Sequence, residues 1–109
     1  MKRTSRPIMY RQGDVAIIAC ERRTVEKEVE REEGRIVLAH GEVTGHAHAI
    51  ASTDATLFMD EKTLNRYLEV RAPVTLDHEE HGRIELPSGF YEVLRQREYR
   101  PEGLRQVAD

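Results

Sequence analysis

His46-Ala47-His48 and His78-Glu79-Glu80-His81 hold four of the chain's five histidines, and the fifth, His40, lies just upstream of the first pair. Imidazole is the commonest metal-ligating side chain and the only one that titrates near neutrality without perturbation. Two tight clusters of it point to a metal site or a proton-transfer site. Two to four histidines with at most one carboxylate suit a divalent transition ion: Zn²⁺, Fe²⁺, Mn²⁺, Ni²⁺ or Cu²⁺. With one coordination position open, such an ion supplies Lewis-acid or metal-hydroxide chemistry, which would make the chain a metal-dependent enzyme. Glu80, like Glu79, is then a candidate general base, and His81 a candidate acid/base or outer-shell group.

Spacing removes several other chemistries. His-Glu-Glu-His is not the zincin His-Glu-x-x-His, which needs ligands four apart on a helix, and Gly82 opposes a helix there. One cysteine, Cys20, allows neither a zinc finger nor a Cys-pair deaminase site. No glycine-rich phosphate loop or nucleophile elbow is present. Cys20 ends an apolar run and reads as a core residue.

The elements that must position these histidines are strands. Val15 to Cys20 follows the turn-forming Gln12-Gly13-Asp14, and Arg35 to His40 follows Gly34. Further strands are expected over residues 43–51, 56–59, 66–71, 74–78, 83–86 and 90–99. The period of two and the turn signals between runs predict an all-β single domain over residues 1–109, a small barrel or sandwich. Residues 1–11 and 101–109 are expected at its periphery. Residues 21–33 are almost wholly charged and read as an arm or loop, with Val25 and Val29 spaced for either a helical turn or an extended segment.

Strand parity sets which way the histidines face. His46, His48 and Ile50 share one face, with Cα atoms of the two histidines roughly 6.5–7 Å apart, and Ala47 and Ala49 share the other. The same count places His40 with Ile36 and Leu38, and His78 with Val74 and Leu76. Three strands would thus each direct a histidine inward. A core histidine satisfied by a hydrogen bond is the competing reading of each.

Gly41 to His48 and Pro87-Ser88-Gly89-Phe90-Tyr91-Glu92 resemble the two motifs of the cupins, small β-barrel proteins. The resemblance covers residues 41 to 92 and implies a metal held by His46 and His48, with Glu92, which stands where the family has a histidine, among the candidates for the remaining ligands. The family's own glutamate would fall on Ser52 or Thr53, so His78, His81 or His40 would complete the set. The chain also resembles small bacterial and phage proteins, without an assigned function, that carry the same two histidine clusters.

Composition bounds the partners. Only 6% of residues are aromatic and 34% are charged, so the core rests on Val, Ile and Leu, and a homo-oligomer would supplement it. Under that reading the histidines are structural parts of a binding or assembly module. A net charge of −3 opposes general polyanion binding. Arg95, Arg97, Tyr99 and Arg100 nevertheless allow a single-stranded nucleic acid as a minor expectation. A small-molecule ligand suits an inward cluster. With no apolar stretch of signal-peptide or membrane-span length, a cytoplasmic location without membrane contact is expected.

Overall fold

A computed structural model describes residues 8–25, 27–41, 45–95 and the backbone of 105–106. All regular structure among them is β: β1 (Ile8–Gln12), β2 (Val15–Ala19), β3 (Lys27–Glu28), β4 (Ile36–His40), β5 (Ala47–Ile50), β6 (Ala55–Met59), β7 (Arg66–Val70), β8 (Val74–Leu76), β9 (Ile84–Leu86), β10 (Gly89–Arg95) and β11 (Arg105–Gln106). Seven strands form one sheet in the order β11-β1-β2-β10-β7-β6-β3. Every pairing in it is antiparallel except β1 with β11.

The other four strands make two hairpins, β4-β5 and β8-β9. Ala49 and Asp77 exchange reciprocal backbone hydrogen bonds of 3.0 and 2.9 Å, which join the hairpins into a second layer. One core lies between the layers. The large sheet contributes Val15, Ile17, Leu57, Leu68, Val70, Tyr91 and Val93; the smaller layer contributes Ile36, Leu38, Ile50, Val74, Leu76 and Leu86. Apolar residues at alternate positions of short strands generate this arrangement, since each strand can bury only one side chain in two.

Two details differ from the sequence reading, and two of the expected strands reach beyond the described residues. Residues 8–11, expected at the periphery, belong to the large sheet: β1 pairs with β2, and Met9 is buried against Ala16 and Ile18. The strand expected over residues 43–51 is ordered as β5 from Ala47, and residues 42–44 lie outside the described residues, as does the expected extension of β10 through Tyr99. The charged stretch 21–33 is extended and partly docked. Arg22 and Arg23 lie 5.5 and 5.1 Å from the ring centres of Phe90 and Tyr67, which stack on the sheet's outer face. Cation–π attraction and the 2.8 Å Arg22–Glu69 ion pair hold what composition alone suggests is solvated. Farther on, β3 pairs with β6 and Val29 packs on the core.

Neighbouring residues on β8 should respond oppositely to truncation. Leu76 is fully buried and Thr75 exposed. Leu76→Ala is expected to lower unfolding free energy by about 2–5 kcal/mol, and Thr75→Ala to stay within about 0.5 kcal/mol. Urea denaturation of both variants measures this.

Candidate functional site

Strand ends at one edge of the two layers enclose a cleft of about 320 Å³. It lies among the β1-β2 turn, the end of β4, the entry to β5, the β8-β9 loop and the end of β10. His46, His48, His78 and His81 all line it. Ring centres are 4.3 Å apart for His48–His78, 4.7 Å for His78–His81, 5.8 Å for His46–His78 and 5.9 Å for His48–His81. Parity therefore placed His48 correctly: it is 2% exposed and stands on the same face of β5 as Ile50.

A residue outside both histidine motifs controls His48. Gln12, at the end of β1 and 1% exposed, donates from its amide nitrogen to the carbonyls of Leu76 (3.0 Å) and Gly82 (2.9 Å). Its Oε1 must then accept, so the 2.8 Å contact with His48 is donated by His48 Nδ1–H. In the neutral ring this leaves the Nε2 lone pair directed at the cleft, where Asp14 Oδ1 lies 3.8 Å away. A glutamine in an apparent turn carries no sequence signal for this role beyond its position at the last residue of an apolar-paired strand.

The turn itself is built to touch the imidazoles. Gly13 and Asp14 form the two-residue loop between β1 and β2, with Gly13 at φ +58°. A Cβ on Gly13 would stand 2.8 Å from His81 Nε2 and 3.2 Å from His48 Cε1, so glycine is required for both backbone shape and approach. Asp14 reaches back to β10, where its Oδ2 accepts from Arg95 Nη2 (2.9 Å) and Nε (3.3 Å). Burial works to raise the Asp14 carboxyl, and the Arg95 hydrogen bond and charge outweigh it, leaving it below the ordinary value.

His78 organises its own loop. Its Nδ1 accepts the backbone N–H groups of Glu80 (3.0 Å) and His81 (3.3 Å), so the neutral ring carries hydrogen on Nε2 and presents a donor. His46 differs again. Its Nδ1 is buried without a hydrogen-bond partner, and the nearest carboxylate oxygen, on Glu80, is 3.6 Å away. Glu79, the other acid of the motif, accepts the Ala47 N–H at 2.9 Å, and that bond lowers its pKa.

Two expected site residues are not drawn in. His40 is 68% exposed at the rim and pairs with Glu32 at 3.1 Å. The cause is a β-bulge: the β4-β5 register shifts between Val37 and Ala39, so Ala39 faces His48 and His40 takes the outer phase. Glu92 pairs with Ile18 and Tyr67 on the outer face of the large sheet, the phase of Phe90 and Leu94, away from the histidines. The phase of Tyr91 and Val93 instead brings Arg95 to the cleft. Arg97, Tyr99 and Arg100 lie outside the described residues. Ala47 and Ala49, with Val37, are already buried within the single chain. Burial pushes the Cys20 thiol up, which suits its reading as a packing residue rather than a nucleophile.

Chemically the cleft offers one imposed lone pair on His48 Nε2, one oriented carboxylate oxygen on Asp14, one N–H donor on His78, and two further imidazoles. Among the described residues no three His, Cys, Asp or Glu side chains already converge on a common point, so coordination by three of them requires side-chain rotation. His81, exposed on its loop, has that freedom.

His48 gives the cleft a measurable signature. Burial foremost, then the His78 ring, lowers its pKa to about 4 from 6.5; His81 and Arg95 act in the same direction and Asp14 opposes them. The unfolded chain takes up a proton near pH 6.5 that folded His48 refuses until about pH 4. Its contribution is therefore full above pH 6.5 and is lost as pH falls towards 4, by up to roughly 3 kcal/mol. In metal-free buffer, stability of the native chain should fall more steeply across that window than stability of His48→Gln. Parallel curves from urea melts would remove the assignment.

No curated protein and no solved structure matches this chain. A family match covers residues 11–96, a span that contains Gln12, Asp14, all the histidines and Arg95. The chain belongs to that family, described as a domain of unknown function, DUF8820.

Proposed function

We propose that the cleft binds a divalent transition-metal ion, anchored on His48 and completed by His46 and His81. The observation that carries this reading is the Gln12–His48 hydrogen bond, which fixes the tautomer and leaves Nε2 free in the cleft that the other imidazoles line. Ligating histidines are oriented in this way by a hydrogen bond from the opposite ring nitrogen. Two imidazoles bound to one tetrahedral ion place their ring centres about 5.3 Å apart. The 5.9 Å between His48 and His81 is near that distance. The unpartnered Nδ1 of His46 gives a second buried nitrogen for which coordination would supply the missing partner.

His78 takes a different part. With Nδ1 occupied by two backbone N–H groups, its Nε2–H is a donor and serves a bound water or substrate oxygen rather than the ion. The cleft's 320 Å³ leaves space for a small molecule beside the ion. An ion with one position open there would polarise a substrate oxygen or lower the pKa of a bound water. Only the His46-x-His48 half of the cupin-like pattern contributes, since Glu92 faces elsewhere.

Untagged protein should carry or take up close to one zinc or nickel ion per chain, and its melting temperature should rise with metal concentration. His48→Ala should abolish that gain. Gln12→Met should weaken binding about 10–100-fold by freeing the ring. Isothermal titration and elemental analysis test both. Less than about 0.2 ion per chain, with no thermal gain on adding zinc or nickel, overturns the proposal.

A further inference from the structure

Asp14 and His48 confront each other in a way that a hydrogen bond does not explain. His48 spends its ring hydrogen on Gln12, so Nε2 is an acceptor, and the Asp14 oxygen opposite it is an acceptor as well. Their separation of 3.8 Å exceeds a hydrogen bond and has no hydrogen to fill it. Two donor atoms each about 2.1 Å from one ion lie about 3.4 Å apart at the tetrahedral angle and about 3.8 Å at a wider one. The 3.8 Å separation thus leaves room for one ion between the two acceptors at the wider angle.

The carboxylate is also prepared for the role. Arg95 takes Oδ2 through two N–H groups, which fixes the plane of the carboxylate and leaves Oδ1 towards His48. The backbone beneath it is held against the imidazoles by the contact that only glycine at position 13 permits. The rival acids lack such support: Glu79 is committed to the Ala47 N–H, and Glu80 is 60% exposed on its side chain.

We infer that Asp14 is the carboxylate ligand of the cleft's metal ion. The inference rests on the metal reading above and adds its anionic donor, making a histidine-rich site with one carboxylate. That donor set fits zinc, iron(II), manganese, cobalt or nickel better than the thiolate-preferring ions. The negative charge of Asp14 offsets part of the ion's charge in a cleft lined chiefly by imidazoles.

The test titrates the full untagged chain with cobalt(II) and zinc in three forms: native, Asp14→Asn and Glu92→Gln. Native binding, at least about tenfold weaker binding in Asp14→Asn with an altered cobalt d–d spectrum, and unchanged binding in Glu92→Gln support the inference. Melting temperatures of the metal-free forms separate a ligand from a brace. If Asp14→Asn lowers the metal-free melting temperature but binds as tightly as the native chain, the inference fails and the metal site stands. If the native chain binds neither ion, both fail together. Should Asp14→Asn not fold, the ¹³C resonance of the Asp14 carboxyl carbon in the native chain decides. A shift on saturating zinc supports ligation, and no shift overturns it.

Discussion

One buried side chain, Gln12, ties together the parts of the molecule that meet at the cleft. It ends β1, reaches the last carbonyl of β8 and the Gly82 carbonyl in the loop after it, and receives the imidazole hydrogen of β5. Three bonds from one amide join three separate regions of the chain. An amide buried this deeply is costly unless its hydrogen-bonding groups are used, and here both donors and an acceptor are. Removing it would expose two carbonyls and a ring nitrogen to an apolar surrounding. It would also release the tautomer on which the chemistry of His48 depends.

The rest of the layer packing follows the same logic of supplying partners where the ladder fails. The bulge at Leu38 breaks the β4-β5 ladder, and Arg66 donates to the Leu38 carbonyl at 2.6 Å from across the core. Arg31 binds the carbonyls of Gly34, Ser52 and Ala55, tying the turn before β4 to the start of β6. Backbone groups that leave a sheet ladder must find other partners, and arginine with its several donors is suited to more than one at once. This accounts for part of the high charge content that composition assigns to solvent.

Local periodicity revealed β2 and the strands from β4 to β10, though not β3, and the inward phase of His48, because alternation is a property of neighbours and is written in adjacent residues. It failed at His40 for a specific reason. Counting by twos assumes an unbroken ladder, and one extra residue at Leu38 reverses every phase beyond it. It passed over β1 because Ile8-Met9-Tyr10-Arg11 has no clean alternation and takes its partners from β2. Gln12, Asp14 and Arg95 were invisible as site residues for a deeper reason. Their roles come from bonds to groups between 36 and 81 positions away, and their residue types are as common in turns and on strand surfaces as in sites.

The contrast between satisfied and unsatisfied groups is what the proposed metal reading of the histidines draws on. A histidine retained only for packing should end with its nitrogens paired. Among the described residues, the one buried side-chain polar atom without a partner is His46 Nδ1, and it lies in this cleft. The facing acceptors of His48 and Asp14 lie there too, as does the left-handed glycine whose missing side chain lets the turn press on the rings. These groups meet beside a fully satisfied Gln12 that holds their geometry, and the proposed coordination would use the ones that the fold itself leaves unpaired.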